Sequence, residues 1–94
     1  MRSGYTCIMS SKNRTVIYVG GTNDLYTRVI QHRSGKGSCF TSKYNCFDLI
    51  YYEVHSRITD ATDREKQLKR WRKEWKWNLI RGNNPSLTDL FDEL

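Results

Sequence analysis

Tyr18-Val19-Gly20-Gly21-Thr22-Asn23-Asp24-Leu25-Tyr26-Thr27-Arg28-Val29-Ile30-Gln31-His32 reads as a β-strand that ends in a glycine turn and feeds a helix. Aromatic and β-branched residues favour the extended chain. Thr22, Asn23 or Asp24 can each cap a helix start, and Gly35 can end the helix in the left-handed conformation. Leu25, Tyr26, Val29 and Ile30 give that helix an apolar stripe. Asp24, Arg28 and His32, four residues apart, form a second stripe along its border, where the edge of a cleft falls. A tyrosine at the strand end, with an arginine and a histidine one helical turn apart, suits a site that handles phosphodiesters.

Working outward, Gly4 to Met9 and Thr15 to Gly20 are two extended runs separated by the polar cluster Ser10-Ser11-Lys12-Asn13-Arg14, which predicts an antiparallel hairpin. Alternation places Tyr5, Cys7 and Met9 on one face and Thr6 and Ile8 on the other. Both faces are partly apolar, so the pattern does not say which one meets the helices. Asp48 to His55 is the clearest strand and completes a three-stranded sheet. Between them, Ser34 to Asn45 reads as a loop rich in glycine, serine and lysine. Lys36 and Lys43 could meet phosphates there, or the loop is an ordinary surface connection.

Thr59 to Arg81 is a long helical region, either one helix or two with a bend. Thr62 and Glu65 stand at capping-box spacing, Thr59 is an alternative start, and Gly82-Asn83-Asn84-Pro85 is the stop. Leu87, Leu90 and Phe91 can dock the acidic tail back on the core. On a helical wheel Glu65 falls in the stripe of Ala61, Leu68, Trp75 and Leu79. Burying an unpaired carboxylate costs several kcal/mol, so Glu65 must be paired, hydrogen-bonded, protonated or bound to a metal. A capping box or a salt bridge, with Arg72 on the same stripe, is the plain alternative to a functional role.

The 94 residues fit one domain, residues 1–94, and carry 16 Lys+Arg against 10 Asp+Glu for a net charge of +6. That excess favours an anionic partner. Seven basic residues from Arg64 to Lys76 face only Glu65 and Glu74. Lys66, Lys69, Arg70 and Lys73 in that segment are candidate nucleic-acid contacts, interleaved with Trp71, Trp75 and Trp77. Trp71 and Trp75 are expected in the core, with Trp77 left open. Three cysteines without a CxxC pair argue against a disulfide framework, and Cys7, Cys39, Cys46, His32 and His55 match no standard zinc spacing. With no apolar leader at the N-terminus, the expectation is a soluble cytoplasmic protein with no membrane partner.

Tyr18-Val19-Gly20, Thr22-Asn23-Asp24-Leu25 with Arg28 and His32, Phe40 to Asn45, Leu49-Ile50-Tyr51-Tyr52-Glu53, Arg64 to Trp71 and Asn84-Pro85 together resemble the GIY-YIG nuclease superfamily. Within it, the chain is similar to the small stand-alone bacterial YhbQ-like domains. The resemblance implies an α+β fold, a three-stranded antiparallel sheet flanked by helices in a GIY-YIG-like sandwich. It also implies hydrolysis of nucleic-acid phosphodiester bonds, DNA first, with one divalent cation, Mg²⁺ or Mn²⁺, held by Glu65. Arg28 would then stabilise the phosphoryl transition state, Tyr18 and His32 would act around the attacking water, and Asn84 would support the site. The family's first tyrosine, a candidate for activating water, falls at position 7, where this sequence has Cys7. Tyr5 lies on the same strand face, about 7 Å away. An impaired enzyme that still binds nucleic acid is therefore the alternative.

Overall fold

The computed structural model describes residues 3–35 and 43–94. Its elements are β1 (Gly4–Ser10), β2 (Ile17–Thr22), α1 (Leu25–Arg33), β3 (Asp48–His55), α2 (Ile58–Arg70) and α3 (Lys73–Asn83), followed by a 3₁₀ turn at Phe91–Glu93. The strands form one antiparallel sheet in the order β2-β1-β3. This is the expected α+β architecture.

The hairpin turn takes two residues from the expected second strand. Ser11 Oγ accepts the backbone N–H groups of Thr15 and Val16 at 3.2 and 3.0 Å. Arg14 adopts φ 58° and reaches Asp48 at 2.7 Å, tying the turn to the start of β3.

Both faces of the sheet are covered, which explains why both carry apolar residues. On one face Cys7, Met9 and Leu49 pack with Leu25 and Val29 of α1. On the other, Ile8, Val19, Ile50 and Tyr51 pack with Leu68 of α2 and Ile80 of α3. The registers Ile8↔Tyr51 and Met9↔Leu49 leave Ile50 as an extra residue. This bulge lets Ile50 and Tyr51 join the same cluster despite being consecutive.

α2 lies close against β1 because position 4 is glycine. A β-carbon on Gly4 would stand 2.7 Å from the Ile58 α-carbon and 2.8 Å from the Ala61 β-carbon. Thr6 Oγ1 donates to the Ala61 carbonyl at 2.9 Å and fixes the crossing.

The long helical region is two helices. Trp71 and Arg72 are extended, with ψ of 151° and 148°, and the break resets the phase of everything after it. Trp75, expected in the core, is accordingly 49% exposed, while Trp71 and Trp77 are partly buried against the α2/α3 cluster. The Thr62/Glu65 capping box does not form, because α2 begins upstream at Ile58 and the Thr62 hydroxyl donates to the Ile58 carbonyl instead.

The tail docks as its apolar residues predict. Leu90 N–H donates to the Leu49 carbonyl at 2.7 Å, and Leu49 N–H donates to Asp89 at 3.0 Å. These bonds cover part of the outer edge of β3. Phe91 stacks on Tyr26 with ring centroids 5.1 Å apart. No described helix is long and apolar enough to cross a membrane.

Candidate active site

β2 is an edge strand, so groups from α1 and α2 on opposite faces of the sheet can meet around it. Tyr18 contributes a partly buried ring that meets His32 edge-on, with centroids 5.8 Å apart and planes at 63°. The Lys69 ammonium of α2 lies 5.8 Å from the same ring centroid. Tyr18 thus contacts side chains from both helices.

Asp24 is the N-cap of α1, its carboxylate accepting from Thr27 N at 3.2 Å and from Thr27 Oγ1 at 2.8 Å. Of the three possible caps, Asp24 serves, so its carboxylate is engaged in holding the helix start. The helix runs to Arg33, and Gly35 follows with φ 81°.

Arg28 is half-buried and lines a cleft of about 650 Å³ with Gly21, Thr22, Thr27 and Gln31. Its hydrogen bond to Gln31 is long, 3.4 Å, and it makes no salt bridge among the described residues. A guanidinium in this state can meet an incoming anion without first breaking an ion pair.

His32 is 1% exposed. Burial, and secondarily the Arg28 charge, push its pKa below the ordinary imidazole value, so the ring is neutral at pH 7. It meets the Tyr18 ring edge-on and does not line the Arg28 cleft.

Glu65 projects from α2 toward β2. Its Oε2 accepts from Lys69 Nζ at 2.6 Å, and its Oε1 lies 2.7 Å from where a β-carbon on Gly21 would stand. A side chain at position 21 would have to push the end of Glu65 aside. The partner is Lys69, one turn on within α2, and not Arg72, which the break removes from the helix and which faces Glu74 at 3.9 Å.

Cys7, on the central strand, pairs with Gly20 in β2 and Tyr52 in β3. It is 1% exposed. Burial pushes its thiol up to about 12, with Arg28 opposing and Glu65 adding to the rise. The thiol therefore lies within the electrostatic reach of both groups yet stays protonated at neutral pH, unable to take a proton from water. Tyr5 packs partly buried beside the same cluster.

Asn84 is placed differently. Its amide nitrogen donates to the Ile50 carbonyl at 3.0 Å and the Thr88 carbonyl at 2.8 Å, and its oxygen accepts from Thr88 N–H at 3.3 Å and from the Thr88 hydroxyl at 3.2 Å. Those bonds fasten the end of α3 to the β3 bulge; none goes to Tyr18, Arg28, His32 or Glu65.

Among the basic residues, Lys66 and Arg70 are exposed, Lys43 lies 5.4 Å from the Tyr44 ring centroid, and Lys73 donates to the Thr15 carbonyl at 3.0 Å. Lys36 lies outside the described residues.

Among the described residues no three His, Cys, Asp or Glu side chains gather as a metal cluster. Glu65 alone still fits a hard cation of the Mg²⁺ type, which takes one or two carboxylates and completes its shell with water and phosphate oxygens. The room over Gly21 keeps Oε1 clear of any side chain at that position.

Two ion pairs support the site, of which one carries a signal in the sequence and the other does not. Glu65 and Lys69 stand at the favourable i, i+4 spacing for an ion pair. Glu53 and Arg64 form the other link, with Arg64 Nε 3.1 and 3.2 Å from the two Glu53 oxygens; they are distant in sequence, so no local pattern marks them.

A family model described as the GIY-YIG catalytic domain matches residues 3–78. A UPF0213 protein of Staphylococcus epidermidis is 31% identical over 68% of this chain and 78% of its own. One from Pediococcus pentosaceus is 34% identical over 79% of this chain and 78% of its own. The solution NMR structure of a UPF0213 protein from Bacillus halodurans has the same fold, with a TM-score of 0.59 and 24% identity, covering 93% of this chain and 92% of that one.

Proposed function

The chain belongs to the GIY-YIG catalytic-domain family, a nuclease family, and on that premise we propose that it is an endonuclease hydrolysing nucleic-acid phosphodiester bonds, DNA first. Glu65 would hold one divalent cation, Mg²⁺ or Mn²⁺. The observation that carries this reading is the delivery of Glu65 from α2 onto Gly21 of β2, the strand that also carries Tyr18 and lines the Arg28 cleft.

Each side chain has a definable part. Arg28 binds the scissile phosphate and offsets the charge that builds on its oxygens as water adds to phosphorus and the bridging P–O bond breaks. The Tyr18 hydroxyl orients the water. His32, neutral and buried, holds the Tyr18 ring edge-on. Lys69 neutralises Glu65 and offers an ammonium to a neighbouring phosphate. A bound cation supplies Lewis-acid polarisation of the phosphate.

The second reading, a nucleic-acid-binding module with impaired chemistry, is favoured by Cys7, whose buried thiol cannot serve as a base. Cleavage of labelled duplex, nicked and single-stranded DNA with Mg²⁺ or Mn²⁺ tests the first reading. Wild type should cut at least one substrate, and Arg28→Ala should slow it by roughly 10²-fold or more, the usual cost of losing one transition-state donor. Equal rates for the two proteins would remove the proposal.

A further inference from the structure

Trp75 is 49% exposed. Its edge meets Trp71, with centroids 6.3 Å apart and planes at 81°. The Arg72 guanidinium lies 5.6 Å from the Trp75 ring centroid. Trp71 is itself braced by Arg64, 5.1 Å from its centroid, and Arg64 is fixed by Glu53. A large apolar ring thus stands at the surface, edge-to-face with a second indole and beside an arginine.

We propose that the Trp71–Trp75–Arg72 surface is a stacking platform for an unpaired base of single-stranded nucleic acid, so that the proposed nuclease takes substrates with a single-stranded segment. This rests on the nucleic-acid reading above and specifies its substrate class. An aromatic face flanked by arginine is the arrangement that binds bases without sequence preference. From Arg72 to Arg81 there are four basic residues and one acidic one, which suits the phosphates on either side of a stacked base. The same charge opposes a second copy of this chain as the occupant, since each copy carries +6.

The helix that carries Trp75 also bears a charge near the candidate active site. Lys76, next to Trp75, is close enough to Lys69 that repulsion adds to burial in lowering its pKa, and Lys69 bridges Glu65. In a duplex the bases are already stacked inside the helix and cannot reach Trp75, so the platform discriminates by strandedness.

The test is fluorescence anisotropy of a labelled thymidine 12-mer and of a 12-base-pair duplex, in EDTA so that no metal-dependent chemistry enters. Trp75→Ala should weaken single-strand binding roughly tenfold, within the range for losing one base stack, and change duplex binding less than twofold. Trp75→Phe should retain most of the affinity. Circular dichroism spectra and melting curves matching wild type would confirm that the variants fold. Unchanged single-strand affinity, equal losses on both ligands, or no binding of either ligand by wild type would each overturn the proposal. A strand-selective loss in a protein that cuts nothing with Mg²⁺ or Mn²⁺ would support the platform while rejecting the nuclease.

Discussion

Glu65 reaches across from α2 so that its Oε1 stands 2.7 Å from the point a β-carbon on Gly21 would occupy. A carboxylate from one helix thereby occupies the space that a glycine on the edge strand leaves open. Gly21→Ala should displace the Glu65 side chain, because the added methyl group cannot coexist with Oε1 at that distance. The expected outcome is a cleavage rate reduced roughly tenfold or more, with stability lowered by about 1–3 kcal/mol if the clash is relieved by backbone movement. Single-turnover cleavage and urea unfolding measure the two effects separately.

Glu53 anchors the other side of α2. Burial alone would push its carboxyl up, but hydrogen bonds from Arg64 and Tyr51 outweigh that and hold it below the usual range. Its side chain is 19% exposed and also contacts His55 at 3.2 Å. Arg64→Ala leaves this carboxylate short of its main partner and should cost about 2–4 kcal/mol. Replacing both partners, Glu53→Gln with Arg64→Met, should cost less than Arg64→Ala alone. Guanidinium denaturation of wild type and the two variants checks the order.

His32 gives the protein an acid-sensitive element. Its folded pKa is lowered from 6.5, so as pH falls the unfolded chain binds the proton first. The contribution of neutral His32 is fully present above about 6.5 and is lost as pH falls through the folded value. Between pH 7 and pH 5 the melting temperature of wild type should fall more steeply than that of His32→Phe, which keeps an aromatic ring against Tyr18. Parallel slopes would show that His32 is not the source.

Asn84 is bonded to the bulge at Ile50 and to Thr88, and is 6% exposed. Asn84→Ala should destabilise the fold by about 1–3 kcal/mol, since it strands buried carbonyls. Activity per folded molecule well below the melting temperature should change less than threefold. A loss of 10²-fold in a folded protein would instead place Asn84 in the chemistry.

Much of this was legible in local pattern. The strand-turn-helix from Tyr18 to His32 and the strand Asp48–His55 carry strong short-range signals, and the structure has both. The helix break at Trp71 and Arg72 left no glycine or proline in the sequence to mark it. A wheel drawn through the break therefore put Trp75 in the core and Arg72 beside Glu65. The proximity of Glu65 to Gly21, residues 44 positions apart, is a product of tertiary packing around the edge strand. Glycine and glutamate can be read separately, but not their contact.

Glu65, Arg28 and Tyr18 are proposed to form a metal-dependent hydrolytic site in spite of Cys7. Its most direct test is one cleavage panel with Mg²⁺ or Mn²⁺ that compares wild type, Cys7→Tyr and Glu65→Ala on single-stranded, nicked and duplex DNA. Wild type should cut at least one substrate, and Glu65→Ala should cut none above background. Cleavage that appears only in Cys7→Tyr, or equal cleavage by wild type and Glu65→Ala, would contradict the proposal.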